Sequence, residues 1–470
     1  MIMAFHEVLR QTSSLFLGAD AREPTQPIWA RASAVNGPED LSEPHQAWLR
    51  AIDFKPRPGS WTLLPSADGM DGAVFGTGDD AAGALPLLPG FLPAVLPAGD
   101  YHLASALANP DLAALAWALG AYVFHEYRPA DNKGPRRLKL PAGVALDEVA
   151  RIAAAIWLGR DLINTPANDL GPAELEAAAR DVAAAFTADV TVTTGDDLLA
   201  ANFPLLHAVG RGSDRAPRMI DLRWGSAGPR VTIIGKGICF DTGGLNIKPG
   251  PAMALMKKDM GGAASALALA IMIMGGKLPV QLRLLIPAAE NSISAASFRP
   301  SDIIKSRAGL TVEIGDTDAE GRLVLADALA LADAESPDYL ITFATLTGAA
   351  RVALGPDLPP LYATDDDLAA ELVSAGQRLG DPLWRMPFWQ PYDALLESKF
   401  ADLNSIHPEP FAGSIIAALF LKRFVKNAKS FAHFDIYGWV PRPQPGKPFG
   451  GEPQCARAVY DCLKTRLRIS

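Results

Sequence analysis

The sequence predicts an α/β protein built on a largely parallel, buried sheet, and three observations lead there. From about residue 145 onward, short β-branched runs alternate with Ala-rich stretches of helical length. Runs of that kind, bounded by helices, suit strands whose two faces are both covered. No period of roughly 20–50 residues recurs, which argues against solenoids and propellers.

Taken in order, the first 145 residues are rich in Gly, Pro, Ala and Leu, with helix-like segments near Ala104–Tyr127. The basic stretch RPADNKGPRRLKLPAG (Arg128–Gly143) is full of turn formers and reads as an exposed loop or a domain boundary. Beyond it, DEVARIAAAIWLGRDL and GPAELEAAARDVAAAF read as helices, with Pro172 at the start of the second. VTVTT, RMIDLRW, RVTIIGKGICF, QLRLLIPAA and DYLITFATL read as strands. Two domains are expected, residues 1–145 and 146–470. In open sheets of this kind ligands gather where strands end in loops.

The bulk properties exclude several classes. A net charge of −9 and a pI near 5.4 argue against a nucleic-acid surface, which needs clustered Lys and Arg. Three irregularly spaced cysteines, Cys239, Cys455 and Cys462, suggest reduced thiols and a cytoplasmic location. The N-terminus lacks a basic region followed by a long apolar run, so no secretory signal is expected. The most apolar stretch, Ala263–Met274, falls short of the roughly 20 residues that cross a bilayer. It is expected to be a core helix, and no membrane association is expected.

The chemistry concentrates in EIGDTDAEGRLVLADALALADA (Glu313–Ala334). A strand-like run carrying Leu310, Val312 and Ile314 ends, Asp316, Asp318 and Glu320 follow at alternate positions, and an apolar helix begins. DTDAEG matches the opening of a calcium-binding EF-hand loop, but position 12 would be Asp327 instead of Glu, and a strand precedes the loop. Acids at a helix N-terminus complement its dipole, which explains one carboxylate better than three. Like charges about 4 Å apart at an effective dielectric near 20 repel by about 4 kcal/mol per pair. The carboxylates therefore splay into water or hold a cation.

Upstream, IIGKGICFDTGGLNIKPG (Ile233–Gly250) is a strand entering a Gly-rich turn with Lys236, Asp241 and Lys248. LMKKDMGGAASALALA (Leu255–Ala270) sets Asp259 just before two glycines and a helix. GKG without GxxxxGK[ST] is no phosphate-binding loop. No HExxH occurs among the seven histidines, and His433, on a strand-like run, suits the core better than a metal. Jointly, Asp241, Asp259, Asp318 and Glu320 stand at the mouths of consecutive strand–helix crossovers.

GKGICFDTGGLNIKP, MKKDMGGA and DTDAEGRL, with GRDLINTPANDLGP, ATLTGA, FAGSIIAALFLKRF and HFDIYGW, resemble the leucyl aminopeptidase family of dinuclear-metal exopeptidases over roughly Leu158–Trp439. The resemblance implies a C-terminal catalytic α/β domain whose central sheet is mixed and largely parallel, a connecting helix, and a smaller N-terminal α/β domain. It implies two divalent ions, Mn²⁺ or Zn²⁺, held by Lys236 as a neutral amine, Asp241, Asp259, Asp318 and Glu320. It also implies that Lys248 steadies the tetrahedral oxygen, that Arg322 holds a bicarbonate, and that Met256, Thr345 and Gly348 line the substrate pocket. The expected reaction is release of neutral or apolar, leucine-like residues from peptide N-termini by a cytoplasmic hexamer. Asp316, Thr242 and Lys258 depart from the usual family residues, as do the stretches Glu290–Asp302 and 440–457. Two alternatives stand beside this reading: another dinuclear-metal amide hydrolase on the same scaffold, and a non-catalytic regulatory or DNA-binding member.

Overall fold

Strand formation begins early in the chain. β1 (Phe16–Leu17), β2 (Gln26–Arg31), β3 (Trp61–Ser66), β4 (Gly69–Gly76), β5 (Gly99–Leu103) and β6 (Arg136–Lys139) make one sheet in the order β1-β6-β5-β2-β4-β3. Its neighbours are parallel except for the β3–β4 pair. This computed structural model describes residues 3–32, 41–67, 69–78, 85–105, 107–128 and 134–467. The helix Pro110–Gly120 is apolar on every side, and Leu112–Leu119 are buried without exception. Pro110 opens it, and Asn109 caps it by accepting the Leu112 N–H at 2.9 Å.

The expectation of an exposed loop over Arg128–Gly143 fails at Arg136–Lys139. That segment is β6, paired on both sides, with Leu138 fully buried and Arg137 bridged to Asp100 at 2.6 Å. Alternation decides there, with one apolar residue inward and the charges satisfied at the rim. Residues 129–133 of the same stretch lie outside the described residues.

The chain forms two compact units. One takes Glu7–Trp157 with Arg442–Phe449; the other takes the stretch up to His6, Leu158–Pro441, and the chain from Gly450 onward. The division falls within the helix Leu146–Asn164.

The larger unit is built on β7 (Asp189–Thr194), β8 (Arg218–Trp224), β9 (Arg230–Gly235), β10 (Gly237–Asp241), β11 (Gln281–Asn291), β12 (Ile303–Lys305), β13 (Thr311–Glu313), β14 (Tyr339–Ala344), β15 (Pro360–Ala363), β16 (Trp384–Arg385), β17 (Leu403–Asn404) and β18 (Ser430–Asp435). The main sheet runs β16-β15-β18-β14-β9-β11-β8-β7, with β10 joined to β11. Its centre, β18-β14-β9-β11, is parallel, and antiparallel strands flank it on both sides. The sheet is therefore mixed and largely parallel, and helices flank it. A small sheet β12-β13-β17 leads into the acidic loop.

Met256–Gly275 is long and apolar enough to cross a membrane, yet 94% of that window is buried inside the protein. It is a core helix. Glycine lets it approach the sheet: a Cβ at Gly262 would lie 2.2 Å from the Phe343 carbonyl oxygen.

Candidate metal centre

The run RVTIIGKGICF reads as one strand but breaks at Lys236. Its N–H donates to Phe343 of β14, and its carbonyl accepts the N–H of Ala263 in the core helix. The chain then continues as β10 beside the far half of β11. This break aims the Lys236 side chain across the C-terminal ends of the parallel strands, where ligands bind in such sheets.

Three further segments converge there. Asp241 ends β10, Asp259 sits in the 3-10 turn Met256–Met260 ahead of the core helix, and Glu320 opens the helix Glu320–Asp333. Carboxylate oxygens of Asp241, Asp259 and Glu320, all buried, lie within 4.8 Å of one another. The Lys236 Nζ is 2.7 Å from Asp259 Oδ2, 2.9 Å from Glu320 Oε1, and donates to the Thr345 carbonyl at 3.0 Å. Lys248 Nζ stands 2.9 Å from Asp241 Oδ2 and 2.5 Å from Asp318 Oδ1. Gly321 keeps room for Lys236, since a Cβ there would meet its Nζ at 2.7 Å.

The third acid of the loop has a separate task. Asp316 caps the turn Thr317–Ala319 by accepting the Asp318 N–H at 2.8 Å. Thr317 ties this turn to the glycine turn after β10: its Oγ1 donates to the carbonyl of Gly243 (φ +87) and accepts the Asn246 N–H. The EF-hand resemblance ends at Asp327, whose carboxylate is buried and accepts the N–H groups of Leu205, Leu206 and Arg307.

The electrostatics are those of a crowded anionic pocket. Burial, then Asp241, pushes Asp318 up to about 6. Burial likewise raises Asp259 and holds Glu320 well above the usual carboxylate range. Burial pulls Lys236 down, but Asp259, Glu320 and Asp241 together outweigh it and hold its pKa above the ordinary lysine value. These neighbouring carboxylates favour the charged form of Lys236. Burial lowers Arg322 to about 10 and Lys258 to about 8.

Asp259 Oδ2, Asp318 Oδ1 and both Glu320 oxygens are buried and, among the described residues, accept no hydrogen bond of good geometry, despite the ammonium groups beside three of them. Buried carboxylate oxygens left this way are costly, and a site of several hard oxygens suits divalent cations. The residues present fit such ions.

A cavity of about 350 Å³ opens onto Lys236, Asp241, Lys248, Asp259 and Asp318, and Met256, Thr345 and Gly348 line it too. Thr345 also braces the cluster, donating from Oγ1 to Asp259 Oδ1 at 2.8 Å. Arg322 does not line the cavity; its Nη1 donates to the Ser405 carbonyl, and its Nε has no hydrogen-bond partner among the described residues. His433 is fully buried in β18, bonded to Thr342 Oγ1 at 2.8 Å, and burial lowers its pKa to about 3. It stands outside the acidic cluster.

Two supporting residues are not among the site residues expected from the sequence. Asn291, at the end of β11, donates from Nδ2 to Asp241 Oδ1 at 2.8 Å and to the Thr317 carbonyl at 3.0 Å. Asp435, at the end of β18, accepts the N–H groups of Leu346 and Thr347 and the hydroxyls of Thr347 and Ser414. It fixes the loop that bears Thr345 and Gly348.

An α/β sheet with acids and lysines converging at its strand ends makes a candidate cation site. The cytosol aminopeptidase family, catalytic domain, matches residues 157–456, and the M17 aminopeptidase, N-terminal domain, matches residues 38–141. A probable cytosol aminopeptidase of Roseiflexus castenholzii is 41% identical over 74% of this chain and 74% of its own length. One of Nocardia farcinica is 38% identical over 75% of this chain and 72% of its own. The crystal structure of the cytosol aminopeptidase from Coxiella burnetii superposes with a TM-score of 0.89 at 43% identity, covering 97% of this chain and 100% of that one. The bottromycin maturation enzyme BotP in complex with Mn gives 0.85 at 32% identity, over 94% and 99%. The chain belongs to the cytosol aminopeptidase family, M17, and is accordingly an aminopeptidase, a hydrolase.

Proposed function

We propose that the protein releases N-terminal residues from peptides with the help of two divalent cations, Mn²⁺ or Zn²⁺, held by Lys236, Asp241, Asp259, Asp318 and Glu320. The observation that carries this reading is the set of buried oxygens on Asp259, Asp318 and Glu320 that accept no hydrogen bond. The BotP relative crystallised with Mn supports the class of ion. Cations neutralising Asp259 and Glu320 would remove what holds the Lys236 pKa up, and so allow the neutral amine. Held by these residues, such ions would supply Lewis acidity toward a peptide carbonyl and toward the attacking water.

The chain's own side chains do the rest. Lys248, already a donor toward Asp241 and Asp318, would face the oxygen on which charge develops. Arg322, with an unpartnered Nε, would hold a bicarbonate that serves as general base. Met256, Thr345 and Gly348 would receive the first side chain; a Cβ at Gly348 meets nothing within 4 Å, so the pocket is open there. Met256, Leu255 and Leu346 on its walls favour neutral or apolar, leucine-like residues. Relatives named cytosol aminopeptidase support peptide substrates and a cytoplasmic location. The family resemblance supports a hexamer.

The test is hydrolysis of leucine p-nitroanilide by metal-stripped protein titrated with Mn²⁺ and with Zn²⁺, beside Glu320→Ala. Activity restored by metal in the unaltered protein alone is the expected outcome. Full activity without metal, or in Glu320→Ala, refutes the roles given above. Activity on other amides with none on amino-acid arylamides would transfer the site to the amide-hydrolase alternative.

A further inference from the structure

We propose that Lys258 sets the charge selectivity of the substrate pocket, so that the enzyme takes N-terminal residues with acidic side chains alongside neutral ones and turns basic ones away. This rests on the aminopeptidase reading of the site and adds the chemistry of the first side chain.

Lys258 lies in the turn Met256–Met260, between the pocket residue Met256 and the cluster residue Asp259. It is only 5% exposed and lines the same cavity as Met256, Thr345 and Gly348. Among the described residues its ammonium makes no hydrogen bond and no ion pair within 4.0 Å; the Nζ stands 4.7 Å from the centre of the Tyr437 ring, over the face. A buried ammonium group without an anion is unfavourable unless something completes it, and a ring face alone does so weakly.

The neighbouring acids are committed elsewhere. Asp259 takes the Thr345 hydroxyl and the Lys236 ammonium. Asp435 takes its four donors from Leu346, Thr347 and Ser414. A second cation, the exposed Arg351, also lines the cavity and sets its Cζ 5.3 Å from the centre of the same Tyr437 ring. Two cations therefore face this part of the pocket, and among the described residues neither is in an ion pair within 4.0 Å. The group that complements them is an anion at the end of a short side chain, as in aspartate or glutamate. A lysine or arginine side chain would meet like charge instead.

The experiment compares kcat/KM for the glutamyl, leucyl and lysyl p-nitroanilides, using the full chain supplied with Mn²⁺, in the unaltered protein, Lys258→Met and Arg351→Met. One charged hydrogen bond is equivalent to about 10- to 100-fold in affinity. Glutamyl is expected to exceed lysyl turnover by about tenfold or more. Lys258→Met should lower the glutamyl-to-leucyl ratio by about tenfold, chiefly through KM, and the more exposed Arg351→Met should lower it less. Glutamyl turnover no better than lysyl in the unaltered protein overturns the proposal. So does a glutamyl-to-leucyl ratio that Lys258→Met leaves within about twofold. If none of the three substrates is turned over, the aminopeptidase reading falls and this inference falls with it.

Discussion

Replacing Asp435 should loosen the substrate loop and destabilise the larger unit at once. Four donors end on this buried carboxylate: the N–H groups of Leu346 and Thr347 at 3.0 Å each, the Thr347 hydroxyl at 2.6 Å, and the Ser414 hydroxyl at 2.9 Å. Burial raises its pKa above the ordinary aspartate value, although the four donors pull it back down. Asp435→Ala strands two backbone N–H groups and two hydroxyls in a buried site. At about 1 kcal/mol or more for each, with partial relaxation, the loss is about 3–5 kcal/mol. Asp435→Asn is milder. Its Oδ1 can still accept both N–H groups, and the two hydroxyls can turn to accept from the amide, although the Tyr362 hydroxyl and the Ala350 N–H already use them. A loss of about 1–2 kcal/mol is expected for that variant. Urea unfolding followed by tryptophan fluorescence measures both. Because the clamped loop carries Thr345, which braces Asp259, both variants should also bind Mn²⁺ more weakly. Asp435→Ala within about 1 kcal/mol of the unaltered protein would refute the reasoning.

Three other perturbations have equally definite outcomes. Gly321→Ala would drive a methyl group to 2.7 Å from Lys236 Nζ, so Mn²⁺ affinity in calorimetry should fall about tenfold or more, while the helix itself gains from alanine; unchanged affinity would remove Lys236 from the site. Asp327→Asn should lose about 2–3 kcal/mol in urea unfolding, because an amide cannot accept all three N–H groups of Leu205, Leu206 and Arg307; a neutral effect would contradict the anchor assigned to it. His433 ionises in the unfolded chain below about pH 6.5, whereas burial holds the folded group neutral down to about 3. Stability should therefore fall as pH drops through that window, by about 2 kcal/mol between pH 6.5 and 5 from this residue, and His433→Gln should flatten that share of the slope.

The acids and lysines of the centre were legible because strand-end loops expose their chemistry in short contiguous motifs. Asp241, Asp259, Asp318 and Glu320 stand together, with Lys236 and Lys248 among them. The helix–strand rhythm of the larger unit was legible too, since each element has its own apolar period. Other features depend on partners far along the chain. The break at Lys236 is made by Phe343 and Ala263. Asn291 matters only because Asp241 and Thr317 reach it. Arg136–Lys139 looks like a charged loop until neighbouring strands pair with it. The compact units divide inside the helix Leu146–Asn164, where composition does not change. Asp316 resembles a third site acid in the motif, and only the folded turn shows that it caps.

The measurement that bears most directly on the metal centre is the number of Mn²⁺ ions bound per chain, counted by metal analysis after equilibrium dialysis of the unaltered protein and Asp259→Ala. The account predicts two per chain in the first and fewer in the second, with the circular dichroism of the two proteins alike. No bound metal in the unaltered protein, or an undiminished count in Asp259→Ala, would contradict it.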